Sequence, residues 1–269
     1  MNTTHPFDQA IALSPAGSNR YSGATSSAYA NMVGPFGGVT AAAVLNAVLQ
    51  HPELLGEPVA LTVNFAAALA DGPYEVVARP ARTNRSTQHW VIEIAQAGEP
   101  FVTATAVTAA RRETWGVDDA PMPAAISPDA IDKPRMAALV EWVQRYDMRM
   151  VEGPIPTDWH GGGTDSRTTL WVRDEPVRPL DFASLTAMAD VFFPRVWLRR
   201  ATRVPAGTVS MTVYFHAGVA QLAATGTGWL LGQAQGQGFR NGFFDQTAQV
   251  WNQAGVLLAT THQVVYFKE

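Results

Sequence analysis

The sequence predicts an α+β protein built from two similar halves, each with one helix packed against a mostly antiparallel sheet. Three observations support this fold class. One helical segment followed by several strand-like segments occurs twice along the 269 residues. Apolar and polar residues alternate in the strand-like segments, which is typical of strands with one buried face. Strands and helices do not alternate along the chain, as the crossovers of a parallel sheet would require.

The first half contains a helix that follows a glycine-rich stretch, GPFGG (Gly34–Gly38). The next residues, VTAAAVLNAVLQ, have the composition of a buried helix that ends near Pro52. LTVNF (Leu61–Phe65) alternates apolar with polar residues and therefore predicts a strand. Further strands are predicted for YEVVARPARTN, QHWVIEIAQ and PFVTATAVTAARR, with a turn at Ala97-Gly98-Glu99 between the last two.

The second half repeats this order. DFASLTAMADVFFPR (Asp181–Arg195) has apolar residues at helical spacing, with Asp181 as a candidate N-cap and Pro194 as a stop. TVSMTVYFH (Thr208–His216) alternates as LTVNF does, and both contain V-x-F. The strands GWLLGQAQGQ, FFDQTAQVWN and VLLATTHQVVYF follow. We expect a first half at 1–115, a polar connector at 116–134 and a second half at 135–269, the two halves fused through shared sheets into one unit.

The amino-acid composition excludes several classes of protein and of functional site. Charged residues make up 16% of the chain and hydrophobic residues 47%, which excludes a disordered polyelectrolyte. The net charge of −4 gives no electrostatic reason to bind nucleic acid or an anionic membrane. The absence of cysteine excludes disulfides, a thiolate nucleophile and cysteine-ligated metals. No signal peptide and no run of about 18 apolar residues is present, so we expect a cytoplasmic protein. The histidine spacings predict no metal site, and we expect no cofactor.

The order and spacing of fragments in both halves resemble the acyl-CoA thioesterase II-like family, whose members are tandem, or double, hot-dog proteins. The resemblance covers nearly the whole chain apart from the connector. It implies a double hot-dog fold and hydrolysis of acyl-CoA-type thioesters to a free carboxylic acid and a thiol. The fragments are PFGG, LTVNF and GPYEVVARPARTNRS in the first half, and RYDMRMVEGP, LWVR, MADVFF, GTVSMTVYFH, WLL, GF and TTHQ in the second.

The resemblance also implies three site residues that hold and activate a water molecule, Asp190 in MADVFF, Thr208 in GTVSMTVYFH and Gln263 in TTHQ. A carboxylate among Phe and Met residues has a raised pKa, which suits a general base near pH 7. The hydroxyl and the amide would orient the water. The alternatives are structural: a hydrogen-bond acceptor at Asp190, an ordinary strand residue at Thr208 and a solvent-facing amide at Gln263.

Two further sets of residues are candidates around this trio. Gly37, Gly38 and Val39 open a helix, where free backbone N–H groups and the positive end of the helix dipole can form an oxyanion hole. A tight turn with close helix packing is the alternative for this segment. Phe36, Met188, Phe192 and Trp229 are candidates for lining an acyl tunnel between helix and sheet.

The sequence leaves two other functions open. A non-catalytic acyl binder would keep the fold without turnover. A hot-dog hydratase, by the same resemblance, pairs an Asp with a His five residues later, whereas position 195 is Arg. His160-Gly161-Gly162-Gly163 matches the HGGG loop of lipases, but the chain has no G-x-S-x-G nucleophile motif.

The resemblance leaves open whether coenzyme A or a carrier protein presents the acyl group. No basic cluster for adenosine phosphates stands out; the candidates are Arg82, Arg85, Arg111 and Arg112. Because open sheet edges invite pairing, we also expect a homo-oligomer.

Overall fold

A computed structural model describes residues 4–133, 140–157, 159, 162–200 and 202–269. The helices are α1 (Pro6–Ala10), α2 (Gly37–Leu49), α3 (Phe182–Met188), α4 (Val196–Arg200) and α5 (Val219–Thr225), with 3-10 turns at Ser27–Tyr29, Pro128–Ala130 and Glu141–Arg145. The strands are β1 (Ser14–Gly17), β2 (Arg20–Ala24), β3 (Glu57–Phe65), β4 (Pro73–Thr83), β5 (Thr87–Gln96), β6 (Glu99–Ala109), β7 (Tyr146–Glu152), β8 (Thr168–Asp174), β9 (Ala206–Phe215), β10 (Leu230–Gln235), β11 (Phe239–Arg240), β12 (Phe243–Asn252) and β13 (Leu257–Phe267).

These strands form one antiparallel sheet in the order β1-β2-β4-β5-β6-β3-β9-β13-β12-β10-β8-β7, with β11 paired to β12. The predicted α+β class is therefore confirmed. The halves join where β3 pairs antiparallel with β9, the two strands that carry the V-x-F fragments. The side chains of Thr62 and Thr212 face each other across this pair at 2.9 Å. The sheet thus runs without a break through both halves.

The helices α2 and α3 pack against each other on one face of this sheet, called here the inner face. Small residues make that contact close: Ala41, Ala42 and Ala47 of α2 are fully buried, and so is Ala187 of α3. Burial of apolar surface on the sheet and on both helices gives one continuous core. No helix among the described residues is long and apolar enough to cross a membrane.

The helix α3 is shorter than the spacing of its apolar residues predicts. The helical pattern of Asp181–Arg195 continues to Phe192, but α3 ends at Met188 and a separate helix, α4, begins at Val196. The residue before a proline avoids the helical region, so Pro194 prevents the helix from continuing through Phe193. Asp181 caps α3 as predicted, because its Oδ1 accepts a hydrogen bond from the Ser184 N–H at 2.8 Å.

The connector does more than cross the surface. The indole N–H of Trp171 donates to the Ile126 carbonyl at 2.8 Å, and that of Trp251 donates to the Ala120 carbonyl at 2.9 Å. Met122, Ala125 and Ile131 pack on the outer face of the second-half strands. The connector therefore covers apolar surface on that face. The boundaries 115/116 and 134/135 stay predictions; residues 134 and 135 lie outside the described residues.

Candidate active site

Asp190, Gln263 and Thr208 form one hydrogen-bonded chain. The Gln263 side chain donates from Nε2 to Asp190 Oδ1 at 2.7 Å. Its Oε1 accepts from Thr208 Oγ1 at 3.2 Å. Residues that are far apart in sequence are thus brought together, with the amide of Gln263 as the link.

The direction of each side chain follows from the strand period. Gln263 lies in β13 opposite Met211 of β9 and Gln246 of β12, and all three are buried on the inner face. The alternative of a solvent-facing Gln263 is therefore wrong, because this residue is only 2% exposed. Thr208 is half-buried, so it is the member of the trio that lies nearest to solvent.

Burial controls the acidity of Asp190, which lies in the turn just after α3. Removal from water raises the pKa of its carboxyl to about 7, although hydrogen bonds from Gln263 and from the Gly38 backbone N–H act in the opposite direction. Near neutral pH the group therefore exists in both forms, which is the condition for an efficient general base.

The glycine pair of the first half lies against the Asp190 carboxylate. An added Cβ at Gly37 would lie 2.9 Å from Asp190 Oδ2, and one at Gly38 would lie 2.5 Å from the Phe36 ring. Because Gly38 already donates its N–H to Asp190, the start of α2 touches the site directly. Val39 is buried one position further along α2. An oxyanion-hole role for Gly37, Gly38 and Val39 stays a prediction.

Three of the four candidate lining residues are buried and lie next to Asp190 or next to the glycine pair in the chain. Met188 ends α3 two residues before Asp190. Phe36 directly precedes the glycine pair and stacks on Trp142 with ring centroids 4.1 Å apart. Phe192 follows Asp190 by two residues and lies over Gly232, where an added Cβ would be 2.7 Å from the Phe192 ring.

Trp229 is not part of this group. It packs with Trp171 and Leu231 beneath the connector, on the outer face of the sheet, and the Arg173 guanidinium lies 4.1 Å from its ring centroid. Its neighbour Leu230 belongs to the main core instead. Side chains alternate between the two faces along a strand, so Trp229 lies on the face opposite the candidate site. The prediction that Trp229 lines an acyl tunnel is therefore wrong.

A buried polar group near the site is missing from the sequence-based candidates. Tyr146 and Asp174 face each other across β7 and β8, and Tyr29 of the first half packs edge-on to Tyr146. Burial raises the pKa of Asp174 to about 6, although its Oδ2 accepts a hydrogen bond from Ser184 Oγ at 2.5 Å. Two polar residues, Ser184 and Thr186, in an otherwise apolar helical segment are the sequence signal that could have indicated a buried polar partner.

Arg195, which stands where a hydratase would have its histidine, has a structural role. Arg195 is fully buried and donates to the Phe193 carbonyl and to Thr168 Oγ1, the latter at 2.6 Å. The described residues contain no group of three or more His, Asp or Glu side chains placed to hold a metal. His160 and Gly161 of the HGGG segment lie outside the described residues.

Two family models together match most of the chain. The family described as acyl-CoA thioesterase N-terminal domain matches residues 26–109, and that described as acyl-CoA thioesterase C-terminal domain matches residues 117–267. No curated protein matches the chain significantly.

Many solved structures are similar to this chain, and two of them show the extent of the match. A conserved protein of unknown function with a hot dog fold from Alicyclobacillus acidocaldarius is 46% identical, with a TM-score of 0.94 and 99% of each chain covered. The acyl-CoA thioesterase II TesB2 of Mycobacterium marinum is 18% identical, with a TM-score of 0.77, over 97% of this chain and 98% of that one. The predicted hot-dog fold is confirmed.

Proposed function

Because the chain belongs to the acyl-CoA thioesterase family, we propose that it hydrolyses acyl-CoA-type thioesters to a free carboxylic acid and a thiol. The observation that carries the proposal is the Asp190 carboxyl, which burial brings to a pKa of about 7 and which Gln263 holds in place. The chain has no cysteine, which excludes a thiolate nucleophile, and we assign the attack to a water that Asp190 activates.

In the proposed reaction, ionised Asp190 takes a proton from water while the water oxygen bonds to the thioester carbon. The carbonyl π electrons move to oxygen and form an oxyanion. When the C=O bond re-forms, the C–S bond breaks and the leaving thiolate takes the proton back from Asp190. Gln263 occupies Oδ1, so Oδ2, on the side of Gly37, is the oxygen we assign to proton transfer.

Thr208 and Gln263 act by orientation in this scheme. Their chain of hydrogen bonds fixes the carboxylate and leaves the threonine oxygen able to bind the water on the solvent side. Holding the water and the carbonyl carbon at reacting distance supplies several kcal/mol of the barrier reduction.

The N-terminus of α2 would stabilise the oxyanion. Its first N–H groups lack partners within the helix and carry partial positive charge. The Gly38 N–H donates to Asp190, and we propose that the N–H groups of Gly37 and Val39 point to the substrate oxygen beside that carboxylate. Phe36, Met188 and Phe192 would contact the acyl chain.

A non-catalytic acyl binder is the less favoured function. Binding an acyl chain does not require a buried carboxyl group, and burying one costs stability, so the presence of Asp190 favours a catalytic role. We further expect the enzyme to be a cytoplasmic homo-oligomer, which light scattering and cell fractionation would test.

The deciding experiment is a thiol-release assay over a series of acyl-CoA chain lengths. Asp190→Asn is expected to lower kcat/KM by about 10²- to 10⁴-fold, the range for loss of a general base. Asp181→Asn is the matched control, because asparagine also caps helices and should leave turnover unchanged. Equal rates in wild type and Asp190→Asn would contradict the mechanism. Tight binding of acyl-CoA without thiol release would instead identify a binder.

A further inference from the structure

A tight turn of the first half lies just before the glycine pair. The Asn31 N–H donates to the Gly34 carbonyl at 2.8 Å, and Gly34 adopts a positive φ of 65° to close the turn. The two residues at its tip are apolar yet exposed, Met32 at 53% and Val33 at 74%. These two side chains are therefore available for contact with an apolar part of a ligand.

Arg203 of the second half approaches this turn from the other side. Its Nη2 lies 4.0 Å from the Met32 sulfur, and its guanidinium lies 5.7 Å from the centroid of the Trp197 ring. The exposed Arg203 precedes Thr208, the half-buried member of the trio, by five residues. Met32, Val33 and Arg203 therefore form one exposed group beside the segments that lead into α2 and β9, and we call these three residues the entrance.

A second exposed guanidinium lies nearby in the chain, at the end of α4. Arg199 lines a polar cleft of about 200 Å³ together with Gln235, Phe239 and the Asp165 carboxylate, which pairs with Arg167 at 3.9 Å. Arg200, between these two arginines, forms an ion pair with Glu269. Arg199 and Arg203 are thus two exposed guanidinium groups close together in the sequence, in a chain whose overall net charge is −4.

We propose that this surface binds the nucleotide end of coenzyme A. The inference rests on the proposed thioester hydrolysis. Since the acyl group lies inward beside α3, the thiol part of the substrate leaves past Thr208 and crosses the entrance. Its pantetheine arm contacts Met32 and Val33, and its phosphates pair with the guanidinium groups of Arg203 and Arg199. Guanidinium is the side-chain group best suited to phosphate, because it donates two parallel hydrogen bonds and is always charged.

The test compares two thioesters of the same acyl group, one of coenzyme A and one of N-acetylcysteamine, which lacks the nucleotide. Arg203→Ala is expected to raise KM for the coenzyme A thioester about tenfold, as loss of a charged hydrogen bond does, with kcat unchanged. Arg199→Ala should act in the same direction. Neither variant should change hydrolysis of the N-acetylcysteamine thioester. Arg79→Ala, which removes an exposed arginine from distant β4, is the control.

Equal losses on both thioesters, or no loss on either, would overturn the inference. A thioester of an acyl carrier protein that is hydrolysed far better than the coenzyme A thioester, with unaltered kinetics in Arg203→Ala, would also overturn it. If wild type hydrolyses no thioester, the proposed function fails, and calorimetry with coenzyme A and with pantetheine tests the surface alone. Coenzyme A binding that weakens in Arg203→Ala supports the inference, and equal binding of coenzyme A by both proteins refutes it.

Discussion

At the scale of the residue, Asp190 illustrates how one hydrogen bond adjusts a buried acid. Burial raises its pKa, and the Gln263 amide limits the rise by donating to the ionised form. The amide is itself oriented by Thr208, which occupies its oxygen and so directs its nitrogen to the carboxylate.

The Gln263 amide should therefore set the pH dependence of turnover. In wild type, kcat/KM is expected to rise with pH and to level off above about pH 7, because the ionised form of Asp190 is the active one. Gln263→Ala removes a hydrogen bond that lowers the pKa, so the rise should move to higher pH. Gln233→Ala, which loses an amide bonded to Thr169, should not move it. Thiol release measured from pH 5.5 to 9 would decide, and an unmoved profile in Gln263→Ala speaks against the role of the amide.

The same carboxyl should reduce stability as the pH rises. Its pKa of about 7 in the folded state exceeds the 3.8 of an unburied aspartate, so the folded state holds the proton more tightly between these values. The free energy of unfolding then falls as pH rises through this window, by up to about 1.4 kcal/mol per pH unit from this group. Asp190→Asn lacks this loss. Urea unfolding at pH 5 and pH 8 should show the variant gaining stability relative to wild type; a constant difference would argue against the raised pKa.

At the scale of the element, the first turn of α2 is packed so closely that only glycine fits. An added Cβ at Gly38 would meet the Phe36 ring at 2.5 Å and the Ala187 carbonyl of α3 at 2.7 Å. Gly38→Ala is expected to cost about 1–3 kcal/mol of unfolding free energy, the usual cost of overpacking. Gly116→Ala, where an added Cβ has open space, is the matched control. Denaturant unfolding that finds the two variants equally stable would contradict this packing.

The elements show where sequence patterns succeed and where they fail. The strands β3 to β6 and β12 to β13 were predictable because period-two alternation is a local property. The end of α3 was not, since Phe192 keeps helical spacing after the helix has stopped. Trp229 was assigned to the wrong face because the connector buries apolar residues on the outer side of β10 as well. A strand buried on both faces loses the alternation that reveals its direction.

At the scale of the whole molecule, the candidate site needs both halves. Gly37 and Gly38 come from the first half and the trio from the second, and the β3–β9 pair joins the two halves in one sheet. The trio could be proposed from the sequence only through a family resemblance. Arg203 could not, because its relation to Met32 exists only in the tertiary structure.

This arrangement predicts that the two halves unfold together. A continuous sheet and the α2–α3 contact leave neither half with an independent core, so calorimetry should show one cooperative transition. The calorimetric and van't Hoff enthalpies should then agree. Two resolved transitions would show instead that the halves are separate folding units.

The most direct test of water activation by Asp190 is a single turnover in H₂¹⁸O with enzyme in excess over an acyl-CoA substrate. If Asp190 activates water, one ¹⁸O atom appears in the released carboxylic acid and none in the Asp190 carboxyl, as mass spectrometry of the acid and of the peptide containing Asp190 would show. Label in the Asp190 side chain would mean that the carboxylate itself attacks the thioester, and this result would contradict the proposed role of Asp190 as a general base.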